Sequence, residues 1–275
     1  MNADDFGLTE SINTGIVSSV DRGIVRSTSL MPNGAAFDHA ARLASERPAL
    51  GVGLHISLVG EPPLSDPTLC FPLMYGDSLP ASYTSFIRHL LSRRGAVAAA
   101  KVEIEKQFEC AMASGLRFTH VDSHQHLHVL PGIMEHVLKL ASETDVGVVR
   151  CPLEIGGPGP GILTPRGIQI AILSLLSRRA RKLILDSGLR TSDHFWGLGV
   201  SGNLNAVHLS RILDRLRPGV NELMCHPGFA DEVTKARYGW GYKWEDETSA
   251  LTDTSIMAKL SESGVQLASF ADALD

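Results

Sequence analysis

The sequence predicts an α/β protein, a distorted (β/α) barrel of the TIM type, in one domain spanning residues 1–275. Three observations predict it. Short β-like runs alternate with helical patterns along the chain, as parallel βα units require. A length of 275 residues exceeds the usual domain size but is ordinary for one barrel. Polar clusters fall where the β-like runs end, and barrel chemistry gathers at the C-terminal strand edge.

The first element looks incomplete. Asn2-Ala3-Asp4-Asp5-Phe6-Gly7 resembles the end of a strand, yet only Met1 and Asn2 precede the acids, where a strand needs ~5 residues. The first strand is therefore expected to be truncated, with the natural start several apolar residues upstream. Leu8–Val20 follows as a helix with Ile12, Ile16, Val17 and Val20 on one face. Strands are expected at Ile24–Met31, Leu50–Leu58, Arg117–Asp122, Gly147–Cys151, Ser192–Trp196, Asn221–Cys225 and Val265–Phe270. Pro131 fits the first turn of a helix over Gly132–Ser142, and helices are also expected over Asn205–Arg217 and Ser249–Glu262. The proline-rich 61–80 region and Gly156–Gly161 read as loops.

Composition narrows the function. Hydrophobic residues make up 44% and charged residues 20%, the balance of a soluble globular protein. The longest apolar stretch, Ile168–Leu176, is interrupted by Gln169 and Ser174 and is too short to span a bilayer. No basic n-region followed by an apolar h-region opens the sequence, so no export signal is expected. A net charge of −5 argues against general nucleic-acid binding. Cys70, Cys110, Cys151 and Cys225 show no CxxC spacing, which excludes a disulfide scaffold and a zinc ribbon and makes the cytoplasm the default location.

Four polar clusters end strands: Asp4-Asp5, His55 within Gly53-Leu54-His55, the run from His120 through Asp122, His124 and His126 to His128, and Cys225-His226-Pro227-Gly228. Period-two alternation puts His55 opposite Val52, Leu54 and Ile56. Each cluster also has a plainer reading. Adjacent aspartates before a helix serve as an N-cap and a first-turn acid, one strand histidine is ordinarily a satisfied core group, and His-Pro-Gly is a turn. Four histidines within nine residues, together with an aspartate, point instead to metal or catalysis. Two histidines and one carboxylate can hold a metal with coordination positions left for water and substrate. A second carboxylate could take the water's proton and a further histidine could protonate a leaving group. Those are the parts needed to hydrolyse an amide.

These residues, taken in order from Asn2 to about residue 230, resemble the YdjC-like carbohydrate deacetylases. The resemblance implies a distorted barrel, usually a homodimer, that removes N-acetyl groups from amino sugars with one divalent metal, magnesium or zinc. It implies Asp5, His55 and His124 as metal ligands, Asp4 as general base and His226 as general acid. Asp122, His126 and His128 belong to the motif, with orientation of the ligands or substrate contact as their expected roles; for His128 a purely structural role is weighed equally. Thr191-Ser192-Asp193-His194-Phe195-Trp196-Gly197 looks like the hopanoid-biosynthesis-associated branch, whose substrate would be an N-acetylglucosamine-bearing hopanoid glycolipid.

Between Arg166 and Arg190 six basic residues face one acid, a local +5 in an acidic chain. The plain reading is a core-packed helix with a solvated basic end. The alternative, which leans on the hopanoid resemblance, is peripheral contact with the inner membrane. Two rival functions remain: a metal-dependent phosphoesterase, which would want two metals, and a non-catalytic sugar- or lipid-binding protein.

Overall fold

The computed structural model describes residues 1–157, 161 and 163–274. Seven strands form one parallel sheet: β1 (Asn2–Phe6), β2 (Ser27–Leu30), β3 (Gly51–Ile56), β4 (Phe118–Ser123), β5 (Val148–Val149), β6 (His194–Trp196) and β7 (Asn221–Cys225). Their order is β5-β4-β3-β2-β1-β7-β6. Isolated parallel bridges from Val148 to Arg190 and from Glu154 to Phe195 tie the two edges together, so the sheet curls into the expected distorted barrel.

Two sequence expectations fail. The first strand is not a stub: Asn2–Phe6 is a buried five-residue strand pairing with β2 on one side and β7 on the other. The expectation treated the acids as following the strand, whereas Asp4 and Asp5 lie within it. The second failure is Val265–Phe270. Residues 265–269 form no strand, and Phe270 starts a short helix, Phe270–Ala273. Its backbone N–H donates to Ser27 Oγ at 3.2 Å and its ring stacks on His120 at 4.1 Å, so the segment closes the barrel floor.

Among the helices, Glu10–Asp21 is capped by the Thr9 hydroxyl, which accepts from the Ile12 N–H. The expected Gly132–Ser142 helix runs over Met134–Glu143, leaving Pro131 ahead of it. Ser249–Glu262 is two helices, Trp244–Leu251 and Thr254–Glu262, because Asp253 caps the second. Helices at Phe37–Ser45, Tyr83–Ser92 and Ala96–Ala113 add to those expected, and the 61–80 loop holds a short helix, Pro67–Cys70. The basic segment is a 22-residue helix, Pro165–Asp186. Of the expected Gly156–Gly161 loop, Pro158, Gly159 and Pro160 lie outside the described residues.

A continuous apolar cluster runs between the sheet and its helices, from Ala3, Leu54 and Val121 on the strands to Ile16, Phe108 and Ile212. The barrel interior is different. Asn2, Asp4, Ser29, His55, Asp122, Arg150 and Glu222 are joined to one another by side-chain hydrogen bonds and ion pairs, where such barrels ordinarily stack branched apolar side chains.

One close approach sets the height of the turn after β7. Gly15, inside the first helix, faces Gly228 so closely that a Cβ there would lie 2.3 Å from the Gly228 Cα. Alanine favours a helix over glycine by ~1 kcal/mol, so a substitution judged by propensity alone would stabilise. Gly15→Ala is instead expected to destabilise by roughly 1–3 kcal/mol through overpacking, read by urea unfolding. Unchanged or increased stability would show that the two backbones are free to separate.

Candidate functional site

Adjacent strand residues normally point to opposite faces, yet Asp4 and Asp5 both reach the C-terminal end of the barrel interior. The backbone explains how. Asp5 has φ 67°, a left-handed conformation unusual for aspartate, and the β1–β2 register shifts between Ala3 and Phe6. A residue held there costs on the order of 1 kcal/mol or more, strain that concentrates at functional positions. The same conformation recurs after β4: Gln125 and His126 have φ 55° and 57° within the turn His124–Val129.

Asp5, His55 and His124 come together. Asp5 Oδ1 lies 2.8 Å from His124 Nδ1 and 3.2 Å from His55 Nε2. Asp5 Oδ2 and His55 Nε2 are buried without a directed hydrogen-bond partner, a costly state for polar atoms that a cation would relieve. His55 Nδ1 bonds Asp122 Oδ1 at 2.7 Å, so with Nδ1 as donor the Nε2 lone pair faces Asp5. Burial opposes charge on His55, but Asp122 and then Asp5 lift its imidazole to about 10. Burial likewise opposes charge on Asp5, yet His124 and His55 hold its carboxyl well below the usual range. A field that holds a proton so firmly also attracts a divalent cation, and the two compete for Nε2. The donor set fits a metal.

Asp4, His55 and Asp122 are also within ligating distance of one another. Their carboxylates are already taken by Arg150, which no surface exposes. Its Nη1 and Nη2 donate to Asp4 at 2.6 and 2.8 Å, Nη1 lies 2.6 Å from Asp122 Oδ2, and Nε donates to Glu222 at 2.6 Å. A cation placed among these carboxylates would sit against the guanidinium charge, so the geometry favours one metal at Asp5. Burial would raise Asp122, but Arg150 and His55 hold it well below the ordinary carboxylate range.

The other expected residues divide. His226 lines the cavity above Asp4 and Asp5; burial pushes its imidazole down against the opposing charges of Asp5 and Asp4, and its Nδ1 is buried without a partner. His126 lines the same cavity. His128 does not: Ser123 Oγ at 2.6 Å and the Arg150 carbonyl at 2.9 Å occupy both its nitrogens, which makes it a pin between β4 and β5. The cavity holds about 430 Å³, with Trp240 and Tyr242 on one side and Ile170, Leu173 and Leu176 of the Pro165–Asp186 helix on another. Arg150, Trp240 and Tyr242 were not anticipated. The run Tyr238-Gly-Trp240-Gly-Tyr242 carried a local signal, aromatics alternating with glycine; Arg150 carried none.

Residues 191–197 pack into the barrel wall, with Phe195 5.6 Å beneath the Arg150 guanidinium and Trp196 Nε1 donating to Asn221; none of them lines the cavity.

Replacing Arg150 with methionine leaves three buried carboxylates without their counter-charge. Arg150→Met is expected to cost roughly 3–5 kcal/mol of stability by chemical denaturation, and Arg150→Lys to recover only part, since an ammonium cannot reproduce the planar fork. A loss below about 1 kcal/mol would mean the network is not the structural centre.

Residues 1–262 match the family of YdjC-like proteins. The chain is 32% identical to a carbohydrate deacetylase of Brevibacillus brevis, covering 99% of this chain and 98% of that one. It is 33% identical to a human carbohydrate deacetylase (99% and 90%) and 30% identical to a chitooligosaccharide deacetylase of Citrobacter koseri (99% and 97%). A crystal structure from Enterococcus faecalis, described as a cellobiose-phosphate cleavage protein, superposes with a TM-score of 0.78 at 22% identity over 98% of this chain and 96% of that one, a likeness of fold. A polar barrel interior, a carboxylate–imidazole cluster at its mouth and matches of this length together place the chain in the YdjC-like family.

Proposed function

We propose that the protein is a metal-dependent carbohydrate N-deacetylase. The observation that carries the reading is the pair of orphaned ligand atoms, Asp5 Oδ2 and His55 Nε2, beside His124, with His55, His124, Asp4 and His226 lining one cavity. The relatives, named carbohydrate and chitooligosaccharide deacetylases, agree with it. Asp5, His55 and His124 would hold one divalent ion, which would acidify a water and polarise the acetamide carbonyl. Two imidazoles suit zinc or another transition ion, and the family resemblance also allows magnesium.

The chain's own groups supply the proton transfers. Asp4 takes the water's proton: Arg150 bonds both its oxygens, yet a carboxylate has about four lone-pair sites, so acceptor capacity remains. Asp122 fixes the His55 ring. His226, in its imidazolium form, passes a proton to the departing amine; burial lowers its proton affinity, which makes that imidazolium the stronger acid and scarcer at rest. Acetate and a free amino sugar leave. His126, at the cavity wall, contacts the substrate.

The sugar's aglycone is proposed to be apolar, in line with a hopanoid glycolipid. The support is the helix Pro165–Asp186: Ile170, Ile172, Leu173 and Leu176 line the cavity, and Ile168, Ile172 and Leu175 of the same helix are more than half exposed, Ile172 belonging to both sets. An apolar path thus runs from the surface to the centre, and peripheral membrane contact along it belongs to the proposal, as do the homodimer and a cytoplasmic location. The basic end adds less than its count suggests, because Arg179 pairs with Glu135 and Lys182 with Asp186. No helix among the described residues is long and apolar enough to cross a membrane.

Two experiments test this. His124→Ala and Asp5→Ala should lose both bound metal, by elemental analysis, and acetate release from N-acetylglucosamine conjugates. Asp4→Asn should keep the metal and lose about 10²–10⁴-fold in turnover. Full metal occupancy in His124→Ala would contradict the ligand set. In flotation, the wild type should rise with anionic phospholipid vesicles at low salt, and replacing Ile168, Ile172 and Leu175 by serine should abolish it; a wild type that stays down removes the membrane contact.

A further inference from the structure

Trp240 lines the cavity beside the proposed metal ligands. It is the half-buried one of three tryptophans; Trp196 and Trp244 are 2% and 3% exposed. Its ring lies 5.0 Å from the His124 ring and lines the cavity, with Tyr242 beside it at 5.4 Å and reaching the His226 ring at 4.9 Å. Gly239 and Gly241 flank it with open space where their side chains would be, while the indole itself is held by the rings of His124, Tyr238, Tyr242 and Trp244.

The strap carrying it is fastened at both ends. At one end Glu61, 2% exposed and far away in sequence, accepts from the Tyr238 hydroxyl at 2.7 Å and from Arg237 Nη2 at 2.6 Å. At the other the Lys243 N–H donates to the Gly202 carbonyl and Trp244 is buried. Two donors, the Tyr238 hydroxyl and the Arg237 guanidinium, satisfy the Glu61 carboxyl oxygens in this buried position. What the arrangement delivers is a rigid, flat, apolar surface next to the proposed metal ligands, and the C–H face of a pyranose is the complementary shape.

We infer that Trp240 is the stacking platform that seats the pyranose ring of the substrate, and that Glu61 is the positioning residue that holds the platform in place. The inference rests on the deacetylase reading for its reaction but not for its binding step. It gives the sugar ring a recognition element separate from the acetamide, which the Asp5, His55 and His124 cluster faces, and from the apolar wall of the Pro165–Asp186 helix.

The test combines intrinsic fluorescence with kinetics. N-acetylglucosamine should change the tryptophan emission of the wild type while acetamide does not, and the change should vanish in Trp240→Phe and Trp240→Ala. For acetate release from N-acetylglucosamine conjugates, Trp240→Ala should raise KM roughly tenfold with kcat little altered. Trp240→Phe, which keeps a flat ring, should restore KM. Glu61→Gln should raise KM in the same direction with bound metal retained, a split that general misfolding would not produce. An unchanged KM in Trp240→Ala, or an emission indifferent to the sugar, overturns the platform even if acetate is released. A sugar-dependent emission change with no acetate released would uphold the platform and remove the deacetylase reading.

Discussion

A guanidinium with no exposed surface holds the inside of this barrel together. Arg150 leaves the end of β5 and meets Asp4 on β1, Asp122 on β4 and Glu222 on β7 within 2.6–2.8 Å. Each of these ions costs several kcal/mol to remove from water, so the cluster holds only because its members are arranged to compensate one another. One side chain thereby fixes three strands from opposite sides of the sheet. The usual apolar layers could not coexist with it, which is why the interior continues outward as serine, asparagine and histidine.

The site at the barrel mouth inherits this geometry. Through Asp122 the guanidinium sets the orientation of His55, and directly it sets that of Asp4. The two acids adjacent in sequence are thereby given different work: Asp4 is bound to the arginine, while Asp5, turned by its left-handed backbone, keeps an oxygen free beside two imidazoles. Period-two alternation alone could not have put both there. The strain at Asp5, Gln125 and His126 is the conformational counterpart of that placement.

The site was legible in the sequence where its residues are clustered along the chain. The Asp4-Asp5 pair and the His120–His128 run stand out locally, and the alternation around His55 correctly separated it from Leu54 and Ile56, which lie in the apolar cluster. Arg150 was illegible because its partners lie 28, 72 and 146 residues away, and a lone arginine after a short apolar run is an unremarked surface residue in most proteins. The first strand was misjudged for a related reason. Polar residues read as the end of a strand, and only a polar barrel interior lets Asn2, Asp4 and Asp5 be the strand itself. Val265–Phe270 has the apolar content of a strand, but with β1 paired on both sides it meets the barrel from below. On the basic helix the apolar stretch Ile168–Leu176 read as core-packed, yet Ile168, Ile172 and Leu175 face outward, which apolar content alone could not reveal.

The central claim is that Arg150 reserves Asp4 and Asp122 and so leaves one metal position, at Asp5. Anomalous scattering recorded at the zinc edge from crystals grown with zinc tests it most directly. One peak per chain, bounded by Asp5, His55 and His124, is the predicted result; a peak ligated by Asp4 and Asp122, or a second ion about 3.5–4 Å from the first as in two-metal phosphoesterases, would contradict it.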